Sequence, residues 1–313
     1  MPLSLEQYAD YLDTRSDLPW PAAPQVQSVK ARPHLVRLPE IRAVLWNVYG
    51  TLLAIPLGEL LFEHPQEFIM SNALEKTIQE FKMWPSMSRK SGQPAEYMLV
   101  IYQQILLENK SGPTGERFPE AASDRVWEAI LKRLLQKDYK FDTNFFGALN
   151  EYSRKVAYFF HASLQGTACY SGAAEAVGHL TNSGIVQGLL GEGQCFTPVQ
   201  VARGLRAQDA SLSPPWGDQV TLSYECRGRK PSERLFRLAL ERLQTRDISA
   251  NEVLHIGSRI KEDIVPARRL GMKTALFAGD KASLQATQEQ LKDPNSRPDI
   301  LLTELTQLLE VLG

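Results

Sequence analysis

The eight-residue run IRAVLWNV at 41–48 constrains the chain more than any other feature. An apolar, β-branched stretch this short reads as a strand buried on both faces, and Tyr49-Gly50-Thr51 ends it with a turn. Such a strand needs neighbours on both sides. The chain offers them over 186–190, 220–224, 253–256, 274–277 and 299–302, with helical stretches at 172–180, 233–243, 264–270 and 303–312 and a loop ahead of the 220–224 strand. Strands separated by helices predict an α/β fold with a doubly wound parallel sheet.

One block interrupts that alternation. Leu61, Phe62, Phe68, Ile69, Leu74, Ile78 and Phe81 recur near helical spacing, 85–94 forms a Pro/Ser/Gly-rich break, and 97–107, 126–135 and 145–160 add three helical segments. The expected organisation is an N-terminal arm (1–38), a core made of 39–56 and 165–313, and an inserted helical cap (57–164). In the arm, Leu5, Tyr8 and Leu12 suit a short amphipathic helix, and Pro19, Pro21, Pro24 and Pro33 impose an extended connector. The arm reads as a segment packed on the domain, with partner binding as the alternative.

A chain of 313 residues can bury a large core without a disulfide or metal staple. Its net charge of −1 gives no global field for nucleic acid or an anionic membrane, so neither partner is expected. The basic runs at 137–140 and 227–230 read as solvated surface. Cys169, Cys195 and Cys226 have neither metal-type nor redox-type spacing, which suits a reducing, cytoplasmic setting. The first twenty residues carry early acids and no apolar core, unlike a secretory signal. Nothing approaches the ~18 apolar residues of a membrane span.

Chemistry in an open parallel sheet gathers at the carboxyl ends of the strands. Four such ends carry recognisable residues: Asn47-Val48-Tyr49-Gly50-Thr51-Leu52, GLLGEGQCFT at 188–197, Lys230-Pro231, and His255-Ile256-Gly257-Ser258 with Asp263 five residues after the serine. In this order they resemble the four motifs of the haloacid dehalogenase-like (HAD) family. ARRLGMKT at 267–274 and Arg297-Pro298-Asp299 also match its habit. The resemblance runs over roughly 40–312 and implies a HAD-like Rossmannoid core with an inserted helical cap.

The resemblance also implies a mechanism. In HAD enzymes the first aspartate attacks a phosphorus or carbon centre, forming an ester that water then hydrolyses. Here that position is Asn47, whose neutral amide oxygen is a far poorer nucleophile. Val48 rather than glycine follows, so backbone-mediated deamidation is expected to be slow. Phosphatase members place a second aspartate where Tyr49 stands, and bind Mg²⁺ through the first-motif aspartate, a backbone carbonyl and a fourth-motif aspartate. With Asn47 and Ser258 at those places, only Asp263 and neighbouring Glu262 remain charged. Mg²⁺ is expected to bind poorly, and neither metal nor cofactor is expected. Gly191-Glu192 stands where Ser/Thr-Asn holds substrate oxygens, and Glu192 repels an anion. Tyr49, Ser258 and Asp263 are similar instead to the metal-independent 2-haloacid dehalogenases, whose nucleophile is nevertheless aspartate.

The resemblance thus implies catalytic positions at Asn47, Tyr49, Thr51, Lys230, Ser258 and Asp263, and substrate-binding positions at Gly191, Glu192 and Lys230. Lys230 is also read as a structural partner for Asp263 or Glu192. His255 is expected as a hydrogen-bonded core residue, and Tyr152, Tyr158, Phe159 and Phe160 as helical-block core. Trp46 is read as filling part of the pocket, and 195–197 as packing. Two functions remain open: a HAD-like module without turnover, binding a small molecule or protein, and a hydrolase acting on a haloacid or phosphoester with Asp263, Glu192 or a water as base. Self-association across a two-fold axis also stays open.

Overall fold

The computed structural model describes residues 1–87, 93–110 and 115–312, so part of the predicted 85–94 break lies outside the described residues. In chain order the strands are β1 (Ala43–Trp46), β2 (Leu53–Ala54), β3 (Ala168–Cys169), β4 (Val186–Gly191), β5 (Val220–Leu222), β6 (Val253–Gly257), β7 (Lys273–Phe277) and β8 (Ile300–Leu302). Six of them form one sheet in the order β5-β4-β1-β6-β7-β8, every pairing parallel. The predicted strands stand within a few residues of their expected places. β1 lies between β4 and β6, with Trp46 level with Leu189 and Ile256.

Alternation along β1 supplies both layers of the core. Val44 and Trp46 join one apolar cluster with Leu189, Leu254 and Ile256. Ala43 and Leu45 join another with Leu190, Leu235 and Phe236. Successive side chains of a strand point to opposite faces, so a centre strand covered on both sides must be apolar throughout. Trp46 belongs wholly to this core: it is fully buried and its indole N–H donates to Gln187 Oε1 at 3.0 Å. It does not fill the pocket as expected, because it faces the sheet's own layer rather than the strand end.

After β1 the chain turns sharply. The Val48 carbonyl accepts from the amides of Thr51, Leu52 and Leu53, and Gly50 sits at φ +81°. A β-carbon there would meet Ser283 Cβ at 2.8 Å and Ser258 Oγ at 2.9 Å, so both conformation and space demand glycine. β2 then pairs antiparallel with β3, and the helical block lies between them. Its helices, after α1 (Leu5–Asp13) in the arm, are α2 (Glu67–Glu80), α3 (Pro94–Asn109), α4 (Ser123–Leu135), α5 (Thr143–Phe146) and α6 (Leu149–Leu164). Gly147, at φ +85°, divides the helix expected over 145–160 into α5 and α6. Phe159 and Phe160 are fully buried and pack on Trp20, Phe81, Tyr102 and Trp127, with ring centroids 5.0–5.4 Å apart, so the aromatic run is core.

Back in the core, α7 (Ala173–Asn182) precedes β4. The stretch expected as a loop before β5 contains instead α8 (Thr197–Gln208), opened by Pro198 in its first turn. α9 (Ser223–Cys226) shortens the strand expected at 220–224, and α10 (Glu233–Gln244) follows. The helix expected at 264–270 begins earlier, as a π-turn over Ile260–Ile264 that runs into α11 (Val265–Arg269). The last helix is shorter than expected, spanning Leu308–Leu312 after a 3₁₀ turn.

The arm follows a long path across the molecule. Ser4 and Gln7 form a reciprocal cap on α1, whose Tyr8, Ala9 and Leu12 are buried. Asp10 and Asp13 pair with Arg203 of α8, Glu6 with Arg206, and Arg15 with Glu80 of α2. Further on, Gln27 binds the turn at Asp280 and Lys281, and His34 exchanges two 2.9 Å backbone bonds with Leu301 of β8. Among the described residues, no helix is long and apolar enough to cross a membrane.

Candidate functional site

The carboxyl ends of adjacent strands deliver the predicted residues to one place. Asn47 follows β1, Gly191 ends β4, Ser258 follows β6, and Asp263 lies in the π-turn beyond. Lys230 enters from the loop between α9 and α10. Strand order reverses at β1, and an open α/β sheet forms its crevice at such a point.

Lys230 is the hub. Its ammonium donates to Asn47 Oδ1 at 2.8 Å, binds Asp263 Oδ1, and lies 3.3 Å from Glu192. The Asn47 Nδ2 donates to the Tyr49 carbonyl at 2.9 Å and more weakly to Thr51 Oγ1 at 3.4 Å. Ammonium can only donate and a carbonyl only accept, so these two partners dictate a single orientation for the amide. Asn47 is therefore held as a neutral group with both ends engaged, 4% exposed.

Charge balance follows from burial. Desolvation opposes the charge on Lys230, but Asp263 and Glu192 outweigh it and push its pKa upward. Desolvation likewise favours neutral Asp263, yet chiefly the Lys230 ammonium, with the His255 ring 3.7 Å away, pulls its pKa well below the usual carboxylate range. The second Asp263 oxygen accepts from the amides of Ser258 at 3.0 Å and Arg259 at 2.9 Å. Burial holds His255 below its ordinary pKa, and its Nδ1–H donates to the Leu45 carbonyl at 3.0 Å, making it the expected core residue. Ser258 Oγ is fully buried without a hydrogen-bond partner.

Gly191 packs directly on the amide. A β-carbon there would stand 2.5 Å from Asn47 Oδ1, a clash that only displacement of the amide from Lys230 relieves. Gly191→Ala is accordingly expected to destabilise the fold by about 1–3 kcal/mol, the cost of overpacking a tight interior. Chemical denaturation measures it; an unchanged midpoint would show the contact to be slack.

Beside Asn47 lies a cavity of about 20 Å³, bordered also by Tyr49, Glu120, Glu192, Arg229 and Arg259. That is room for about one water and no organic substrate. Glu120 comes from the helical block, just before α4, and is 4% exposed. It accepts from Ser223 Oγ at 2.8 Å and lies 3.8 Å from the Arg229 guanidinium. Burial pushes its pKa up to about 7; Arg229 and Ser223 pull the other way, and Glu192 adds to the rise. Tyr49 turns from the amide: its hydroxyl bonds Thr197 Oγ1 at 2.9 Å and donates to Gln200 at 2.6 Å, so 195–197 does more than pack.

Sequence reasoning missed Glu120, Arg229, Arg259 and the Thr197–Gln200 partners of Tyr49. Arg229 stands in a basic run whose pattern suggests solvent, whereas its neighbour Lys230 is buried. Glu120 has no local signal, since only tertiary packing brings it to β5. The residues also do not fit Mg²⁺. The Tyr49 carbonyl already accepts from Asn47 Nδ2, both Asp263 oxygens are bound by donors, and the Lys230 ammonium stands among them. Among the described residues no group of three His, Cys, Asp or Glu is arranged to hold a metal ion.

Residues 228–308, which include Lys230, Ser258 and Asp263, match the HAD-hydrolase-like family. The chain is 34% identical over 85 residues to the glyceraldehyde 3-phosphate phosphatase of Pyrococcus furiosus, a match covering 27% of this chain and 32% of that protein. It thus spans about a third of the length of the curated relative it matches. Among solved structures it is similar to a dehalogenase with an intermediate complex, at 16% identity over 88% of this chain and 98% of that one, TM-score 0.46. It is likewise similar to a HAD phosphatase from Thermococcus onnurineus, at 14% identity over 87% and 98%, TM-score 0.45.

Proposed function

We propose, for a chain that belongs to the HAD superfamily and carries its Rossmannoid α/β core, that the centre is silent while residue 47 is an amide. In this reading the helical block serves as a cap, and the protein acts as a binding module rather than a hydrolase. One observation carries it: the amide oxygen that would have to attack is already bound by Lys230 at 2.8 Å, and its nitrogen by the Tyr49 carbonyl. A neutral carboxamide offers no charged oxygen to form an ester, whatever its position. The about 20 Å³ space beside it and the acids Glu120 and Glu192 further disfavour an anionic substrate. A small-molecule ligand of the module would therefore have to enter by opening the cleft.

The test is a pair of assays, p-nitrophenyl phosphate with Mg²⁺ and 2-chloropropionate without metal. Protein verified as Asn47 is expected to be silent on both; haloacid turnover that appears only in Asn47→Asp, in which Tyr49, Lys230, Ser258 and Asp263 remain as in the metal-independent enzymes that the motifs resemble, would support loss of turnover through the amide once the cleft opens. Asn47→Asp with Ser258→Asp tests the phosphatase route. Activity that survives Asn47→Ala would place the chemistry elsewhere and defeat this reading.

A further inference from the structure

We propose that Asn47 is a self-modification site, at which the buried centre hydrolyses the side-chain amide of its own residue 47 and leaves an aspartate in the nucleophile position. The proposal deepens the reading of a centre silenced by an amide, and rests on it. Three features that amide hydrolysis requires meet at this one residue.

First, the carbonyl is polarised. Lys230 Nζ lies 2.8 Å from Oδ1, where a preformed positive donor stabilises the negative oxygen of a tetrahedral adduct. Second, the about 20 Å³ cavity borders Asn47 and has room for one water. Third, three carboxyl side chains, Glu59, Glu120 and Glu192, border the same space, so a base adjoins the water. Glu192 lies 3.3 Å from Lys230 Nζ, which ties it to the group that polarises the carbonyl.

The step balances without any further reactant. Glu192 takes a proton from the water as its oxygen bonds to Cγ of Asn47, and the carbonyl electrons move onto Oδ1 beside Lys230. The adduct collapses, the Cγ–Nδ2 bond breaks, and the proton held by Glu192 passes to the departing nitrogen, which leaves as ammonia. Amide and water become carboxylic acid and ammonia, which at neutral pH are a carboxylate and ammonium. The new carboxylate keeps Lys230 as its partner, and the Thr51 hydroxyl, now 3.4 Å from Nδ2, can rotate to donate to the new oxygen. Val48 has no part in this route, because the backbone nitrogen never attacks. Direct hydrolysis therefore yields only ordinary aspartate, whereas attack by the backbone amide would pass through a cyclic imide and give mainly isoaspartate.

Peptide mass spectrometry of the folded full-length chain, sampled over days at neutral pH, reads the outcome. The residue 47 peptide is expected to become about one dalton heavier, as ordinary aspartate, and to take up one ¹⁸O from labelled water. Conversion should cease when the chain is unfolded in denaturant. Glu192→Gln, whose thermal melt reports whether it folds, is expected to slow conversion by about 100-fold or more, the usual contribution of a general base. A peptide that stays unconverted, isoaspartate as the main product, equal conversion in the unfolded chain, or wild-type rates in a folded Glu192→Gln would each overturn the proposal. So would a loss of ammonia without water, the signature of a crosslink to Lys230. An amide that never converts leaves the silent-centre reading intact; turnover by molecules verified as Asn47 sinks that reading instead.

Discussion

Lys230→Met is expected to lower folding stability by about 3–5 kcal/mol, read as a shift of the denaturant midpoint. The lysine side chain is almost wholly buried and joins three groups: Asn47, Glu192 and Asp263. Removing it strands the Asp263 carboxylate, which is fully buried and held in its charged form largely by that ammonium. The backbone amides of Ser258 and Arg259 compensate only part of the charge. Asp263→Asn in the same chain should recover some of the loss, since a neutral amide needs no counter-charge, and the recovery measures the coupling between the two sites. A midpoint that hardly moves would mean that water reaches Asp263 and that the centre is far wetter than its geometry.

The second large effect concerns Glu120 and pH. Its pKa rises from an ordinary 4.5 to about 7 in the fold, so between those values the folded chain holds a proton that the unfolded chain has released. Stability from this group is thus fully present below about pH 4.5 and falls as pH rises towards 7, by about 3 kcal/mol in all. Glu120→Gln cannot titrate and should be more stable than wild type at pH 8 by up to that amount, with the advantage vanishing near pH 4.5. The difference between the two chains is the clean readout. His161 and His255 are held below their ordinary pKa by burial, so their contributions are lost as pH falls below about 6.5 and oppose Glu120 in the same window. Parallel curves for wild type and Glu120→Gln would show that the carboxyl is solvated.

Much of this architecture can be read from local pattern, and the parts that cannot have physical reasons. β1, β4, β6 and β7 announce themselves as short apolar runs because central parallel strands are buried on both faces. The strand order is not local, since it depends on which strands pair. The eight motif residues from Asn47 to Asp263 converge because each sits at or just beyond a strand end, or in the loop that Lys230 occupies. α8 is masked in the sequence because Thr197-Pro198 follows a glycine-rich turn, although proline in a first helical turn is itself a start signal. Glu120 lies beyond such reasoning: it stands 103 positions before Ser223 in the chain, and only packing decides which side chain meets that hydroxyl. Lys230 was legible as a motif residue, yet the basic run around it pointed to solvent, because charge patterning does not reveal burial.

The course of residues 1–38 bears on how anything gains entry to the centre. α1 is anchored on α6 and α8, while His34 is stitched to β8, so one continuous tether spans the helical block and the sheet. The helical block meets the core through the β2–β3 ribbon and through bonds such as Ser223 to Glu120, and a tether fixed on both adds a further restraint. An opening that lifts this arm must break the Arg203 pairs with the exposed Asp10 and Asp13, and is therefore expected to ease as salt rises.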